Sequence, residues 1–244
     1  MSIKKLLEKV VYYITVPKCV CCGDFLKIED KALCKTCAAE HFKKKEEKCG
    51  VCLKPLPSCT CKNSYLERHF VKKLVKLFRY KMPLEEGKPI PSNELIYNVK
   101  RTDRKDLVDF IAAELCEAIT ANVANYKDFT VTSIPRKKSR VIKYGHDHSK
   151  VIAKAVAKRL GIKYATLLVS RQSKAQKKTS GEERFKNAEF DYKRGAKLAS
   201  TRVLLFDDIV TTGASMGHCA ALLRGLGSKY TIGVVLGIAF RDGT

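Results

Sequence analysis

Asp207 and Asp208 close the apolar run Val203-Leu204-Leu205-Phe206 and lead into Ile209-Val210-Thr211-Thr212-Gly213-Ala214-Ser215. Open α/β sheets place ligands at the C-terminal ends of their strands, so an apolar strand ending in two carboxylates presents them where a ligand binds. The turn that follows contains small hydroxylated residues and a glycine, and it opens a helix expected from about Ala214 to Leu226. A helix N-terminus supplies unpaired N–H groups and the positive end of a dipole, which suits a phosphate. Gly213 permits close backbone approach, and Thr211, Thr212 and Ser215 can donate hydroxyl hydrogen bonds. Two acids beside a phosphate repel it unless they accept hydrogen bonds from sugar hydroxyls or act near a divalent cation.

A second stretch with chemical potential is Ser133-Ile134-Pro135-Arg136-Lys137-Lys138-Ser139-Arg140, a strongly basic loop directly after an expected strand. Arg136, Lys137 and Arg140 there would neutralise phosphate charge. A third is the long polar segment 171–194, which contains Gln172, Gln176, Arg184 and Asn187. Segments of that length inside a compact domain are commonly functional.

The third kind of chemistry is thiolate. Nine of the eleven cysteines fall between Cys19 and Cys61. Cys19-x-x-Cys22 with Cys34-x-x-Cys37 forms one candidate set of four, and Cys49-x-x-Cys52 with Cys59-x-Cys61 forms another. Short C-x-x-C turns present two thiolates to one ion, and two such turns complete a tetrahedral structural zinc. Sequential pairing is the default, with cross-braced pairing the alternative, and Cys21 is a spare inside the first turn.

These residues need elements to hold them. Tyr65 to Met82 shows Phe70, Leu74, Leu77 and Phe78 at helical spacing, and Pro83 to Ser92 reads as a linker or hood-like connection. A helix is expected over Arg104 to Val123, a strand over Phe129 to Ile134, and a helix over Ser149 to Leu160 with Ser149 as N-cap and Gly161 as stop. Strands follow over Tyr164 to Val169, Arg202 to Phe206 and Tyr230 to Ala239. Strand–helix alternation with continuous apolar strands argues for a parallel α/β sheet. The expected organisation is an N-terminal helix and Cys-rich module over residues 1–64, a helix and linker over 65–104, and a domain over 105–244.

A formal net charge of +23 favours anionic partners such as nucleic acid, nucleotides or polyphosphates. Met1 to Val16 resembles a signal peptide, but Glu8 and Lys9 interrupt it and Leu6, Leu7, Val10, Val11 and Ile14 recur at helical spacing. The apolar run Thr231 to Phe240 is too short to span a bilayer. A cytoplasmic chain without membrane insertion is expected.

A four-turn Cys module ahead of the Asp-Asp…Thr-Thr-Gly-x-Ser turn resembles the ComF family, a competence-associated family with a double zinc ribbon and a type I phosphoribosyltransferase domain. The resemblance extends to Leu77-Phe78-Arg79-Tyr80-Lys81, the Ser133-Ile134-Pro135 loop, Gln176, Arg184 and Asn187. It implies binding of phosphoribosyl pyrophosphate (PRPP) with Mg2+. Asp207, Asp208 and Arg184 would then be catalytic. Thr211, Thr212, Gly213, Ala214 and Ser215 would hold the 5′-phosphate, while Ser133, Arg136, Lys137 and Arg140 would serve the pyrophosphate. It also implies zinc in the Cys module, a link to DNA uptake and natural competence, single-stranded DNA handling, and a partner in the competence machinery. A non-catalytic PRPP sensor or nucleic-acid-binding accessory protein is the alternative. One departure concerns the family pattern R-x-R-x-R-G-[FY]-[ND]-Q, which here reads Arg140-Val141-Ile142-Lys143-Tyr144-Gly145-His146-Asp147-His148. Arg140 is the arginine that remains, and His148 stands at the glutamine. The change falls on pyrophosphate handling rather than on ligand binding.

Overall fold

A computed structural model of the chain describes residues 17–27, 30–80, 90–102, 104–171 and 190–239. The expected N-terminal helix, nearly all of the polar segment with Arg184, Gln172, Gln176 and Asn187, and most of the 83–92 linker lie outside these residues. In chain order the elements are α1 (Lys35–Lys45), α2 (Ser64–Arg68), β1 (Val71–Val75), β2 (Phe78–Arg79), α3 (Pro91–Arg101) and α4 (Lys105–Asn122). After them come β3 (Phe129–Ser133), α5 (Lys138–Tyr144), α6 (His148–Leu160), β4 (Leu168–Ser170), β5 (Phe190–Tyr192), β6 (Arg202–Val210), α7 (Ala214–Gly225) and β7 (Tyr230–Ile238).

The main sheet has the order β1-β7-β6-β3, with β2 also pairing β7, and every pair in it is parallel. β4 and β5 form a separate antiparallel pair. The parallel sheet is covered on both faces, which is why its strands read as unbroken apolar runs. Leu204, Phe206, Ile232, Val234 and Leu236 join α4 and α6 in one buried cluster. Val203, Leu205 and Val235 join Met216, Cys219 and Leu223 of α7 in the other. The first Cys segment, through Cys19, Leu26, Leu33 and Cys37, belongs to the α4 and α6 cluster. The second, through Cys49, Leu56 and Cys59, belongs to the α7 cluster. The helix α1 is fastened to α4 by Glu114, which accepts from His41 at 2.7 Å and Lys45 at 2.6 Å.

Several local expectations need correction. The segment expected as one helix over 65–82 is the short helix α2 followed by β1 and β2. Its apolar spacing fits a helix, but Val71, Leu74, Val75 and Phe78 are buried along the edge of β7. Pairing with a distant strand overrode the local period. Part of the linker is the start of α3, which buries Leu95, Ile96 and Val99. Pro91 in its first turn, Glu94 after it, and Lys100 and Arg101 in its last turn were readable signals. The basic loop from Lys138 onward is α5, stopped by Gly145 at φ +77°. The N-cap of α6 is Asp147, whose side chain accepts from the Lys150 N–H at 3.1 Å, in place of Ser149. The strand expected from Tyr164 is displaced to Leu168, leaving Tyr164 in a single parallel bridge to Val131. β6 runs on to Val210, so both acids lie within the strand. Among the described residues no helix is long and apolar enough to cross a membrane.

Candidate functional site

β6 is an interior strand of the sheet, flanked by β7 and β3, and it carries Asp207 and Asp208 near its C-terminal end. The next residues turn into α7, whose N-cap is Gly213 in the left-handed region at φ +89°. The Ala214 N–H donates to Thr212 Oγ1 at 3.3 Å, and Thr211, Thr212 and Ala214 are exposed. Asp207, Thr211, Thr212, Gly213, Ala214 and Ser215 line one cavity. The structure thus brings together the residues expected to hold a 5′-phosphate and one of the two acids.

The acids have different surroundings. Asp208 Oδ2 lies 2.8 Å from His148 Nε2, 2.9 Å from Lys100 Nζ and 3.6 Å from Arg136 Nη2. Its Oδ1 accepts the Ile209 N–H at 2.7 Å. Burial would push the Asp208 carboxyl up, but the His148 hydrogen bond and the Lys100 charge outweigh it and hold Asp208 well below the usual carboxylate range. Asp207 is pushed the other way by burial and by the Asp208 charge beside it. The pair therefore holds one firmly ionised carboxylate and one that retains its proton more readily.

Lys100 and His148 were not foreseen in this role. Lys100 arrives on α3, which begins inside the stretch expected as a linker, and His148 stands where the family pattern has glutamine. His148 is wholly buried, and burial lowers its pKa against the opposing pull of Asp208. A neutral ring then donates its Nε2–H to Asp208, a tautomer assigned from that partner. A histidine depressed in the folded state contributes stability that is present above the unfolded value of about 6.5 and lost as pH falls through its folded value. His148→Gln keeps an N–H donor without the titration. Its unfolding free energy should therefore change less than wild type between about pH 7 and pH 5. Urea titrations that give the two proteins the same change in unfolding free energy between about pH 7 and pH 5 would rule this out.

The other expected residues are dispersed. Ser133 pairs with Phe206 across the sheet and its hydroxyl lies 3.0 Å from the Tyr164 hydroxyl. Arg136 reaches Asp208, while its Nη1 is buried without a partner among the described residues. Lys137 is the N-cap of α5, and Arg140 is exposed on that helix.

The turn is supported from beneath by the Cys module's exit segment. Asn63 Nδ2 donates to the Thr212 carbonyl at 3.0 Å, while its Oδ1 accepts the Leu66 N–H and caps α2. A Cβ on Gly213 would lie 2.8 Å from Leu66 Cγ, and one on Gly217 would lie 2.8 Å from His69 Cβ.

The eight cysteines gather sequentially, as Cys19, Cys22, Cys34, Cys37 and as Cys49, Cys52, Cys59, Cys61, with the sulfurs of each set within 4.8 Å of one another. A Zn–S bond of about 2.3 Å sets tetrahedral S···S edges at about 3.8 Å. The Cys22–Cys34 separation of 3.7 Å matches that edge. Burial raises Cys19, yet the backbone N–H groups of Cys34, Cys22 and Cys21 bring it down to about 7. The Lys54 N–H brings Cys52 to about 7. Burial pushes Cys21, which belongs to neither set, up to about 11. Both sets can hold a structural zinc.

The chain matches no protein-family model. It is 25% identical over 230 residues to the competence protein ComFC of Streptococcus pneumoniae (strain ATCC BAA-255 / R6), covering 87% of this chain and 96% of that protein. A solved structure described as the allosteric regulatory enzyme of purine biosynthesis aligns with a TM-score of 0.41 at 16% identity. That alignment covers 57% of this chain and 30% of that one. With two four-cysteine sets ahead of a parallel sheet whose interior strand carries paired acids near its C-terminal end and leads into a Gly-capped helix, the chain resembles the ComF family along nearly its whole length.

Proposed function

We propose that the chain binds PRPP at the turn between β6 and α7 and transfers its phosphoribosyl group to an acceptor. The observation that carries this reading is the cavity in which Asp207 shares walls with the Thr211-to-Ser215 turn at the N-terminus of α7. The turn takes the 5′-phosphate through N–H and hydroxyl groups. Asp207, which lines the cavity, orients the ribose, while Asp208 fixes the end of β6 through Lys100, His148 and Arg136. In transfer, the acceptor bonds to ribose C1 while the C1–O bond to pyrophosphate breaks, and pyrophosphate leaves with the electron pair. Arg136, Lys137, Arg140 and Arg184 neutralise it. Asp208 is committed to Lys100, His148 and Arg136 and does not suit a direct Mg2+ ligand, which leaves Asp207 as the acid that would face a ligand-borne Mg2+, an ion that would offset pyrophosphate charge.

Calorimetric titration of PRPP with Mg2+ tests the reading. Wild type should bind, and Asp207→Ala should bind about 2–10-fold more weakly, the loss of an ordinary hydrogen bond. Equal binding by the two proteins would overturn the site. Pyrophosphate release across an acceptor screen then separates transfer from sensing.

A second reading adds single-stranded DNA, and a different cavity favours it. Phe70, Lys72, Arg224, Ser228, Lys229 and Thr231 line it, and the Arg224 guanidinium lies 4.2 Å from the centre of the Phe70 ring. Cations beside an exposed aromatic ring suit a stacked base and its phosphates. In the same preparations, oligothymidylate should bind at low salt and weaken steeply as salt rises. No binding at low salt removes this reading. The ComFC relative extends the proposal to a cytoplasmic protein of the competence machinery, and failure of the tagged chain to co-purify any such protein from competent cells would count against it.

A further inference from the structure

Four thiolates around one divalent zinc leave two excess negative charges, and a buried excess needs compensation. The two Cys sets meet that need differently. Lys76 lies between β1 and β2 and is among the largest side chains with no exposure at all. Its ammonium donates to Cys61 O at 2.7 Å, to Cys59 Sγ at 3.2 Å and to Cys59 O at 3.3 Å. Cys59 Sγ also accepts the Cys61 N–H at 3.3 Å. Among the described residues no carboxylate pairs with Lys76. Carbonyl dipoles alone are a poor solvent for a buried ammonium, so the anion that balances it is the Cys49, Cys52, Cys59, Cys61 set.

The first set has the opposite neighbour. Cys22 is exposed, and its sulfur lies 3.2 Å from Asp24 Oδ2. Once Cys22 is a metal-bound thiolate it has no proton to donate, and Asp24 adds negative charge to a set already in excess. Exposure also opens that edge to a competing chelator.

Resting on the reading of both sets as zinc sites, we propose that the two sites are unequal by construction. Lys76 is the internal counter-ion that makes the Cys49 set retain its metal, whereas the Cys19 set, facing Asp24 and solvent, exchanges its metal. Lys76 acts as a positioning residue through the Cys59 sulfur. The arrangement has a structural consequence, because Asn63, two residues beyond Cys61, holds the Thr212 carbonyl. The retained metal is the one that anchors the phosphate turn.

The test is zinc release from the full chain to the chromophoric chelator 4-(2-pyridylazo)resorcinol. Wild type should release two equivalents in two phases, and Cys22→Ser should remove the fast phase alone. Asp24→Asn, an exposed change that does not threaten folding, should slow the fast phase. Lys76→Met should accelerate the slow phase about 10–100-fold, the usual effect of losing an outer partner, and leave the fast phase alone. With cobalt in place of zinc, Lys76→Met should move the thiolate-to-cobalt charge-transfer band of the second set to lower energy, a shift that loss of packing would not produce. Two equivalents released in one phase would overturn the inequality, as would an unchanged fast phase in Asp24→Asn. An unchanged slow phase in Lys76→Met would overturn the role of Lys76. Less than one equivalent of zinc in wild type would instead remove the zinc reading itself.

Discussion

Asp208→Asn should destabilise the fold by about 3 kcal/mol, because it removes the one carboxylate shared by Arg136, Lys100 and His148. Breaking a buried pair from one side costs about 3–5 kcal/mol, most of it from the charge left behind. The lower end applies because the Lys100 side chain is 29% exposed and can turn to water, whereas that of Arg136 is 13% exposed and cannot turn as far. Lys100→Met alone should cost less, since Asp208 keeps two donors. The double variant Asp208→Asn/Lys100→Met should be more stable than the two single losses summed, by roughly 0.5–3 kcal/mol. Urea unfolding of the four proteins measures this cycle. Strict additivity would mean that Lys100 and Asp208 do not interact in solution.

Gly213→Ala is the second large effect, expected at about 2–5 kcal/mol. Two causes add. The residue sits at φ +89°, where an L side chain is strained by about 1–2 kcal/mol. The new methyl would also lie 2.8 Å from Cγ and 2.9 Å from Cδ2 of Leu66, which is fully buried, and overpacking of that kind costs about 1–3 kcal/mol. PRPP binding should fall further than Asp207→Ala makes it fall, because the turn's N–H groups are re-aimed along with the backbone. Leu66→Ala in the Gly213→Ala background should recover some binding by vacating the space. A Gly213→Ala protein with wild-type stability and affinity would show that neither the left-handed turn nor its support by α2 matters.

The two predictions differ in how local their causes are along the chain. The turn between β6 and α7 was legible because its geometry is local. A strand, a glycine with positive φ and a helix start lie within a dozen residues, and their order implies their geometry. The Cys sets were legible for a similar reason, since C-x-x-C turns fix two thiolates at once and sequential pairing is the shortest closure. α3 was obscured by the prolines around it, although Pro91, Glu94, Leu95, Ile96 and Val99 spelled a short amphipathic helix. The β1–β2 edge was misread because Phe70, Leu74, Leu77 and Phe78 satisfy a helical period, and nothing local shows that β7 lies alongside.

By itself, then, the sequence determined the acid pair, the Gly213 turn, the two thiolate sets and the parallel α/β class. Each is written in short-range spacing or in unbroken apolar runs that only two-sided burial explains. Tertiary structure alone decided that Asp208 answers to Lys100, His148 and Arg136, that Lys76 is sealed against Cys59, and that Asn63 holds Thr212. Those contacts join residues from 17 to 149 positions apart. Charge compensation acts through space between whichever groups the folded sheet brings within a few ångströms, and no local pattern encodes that proximity.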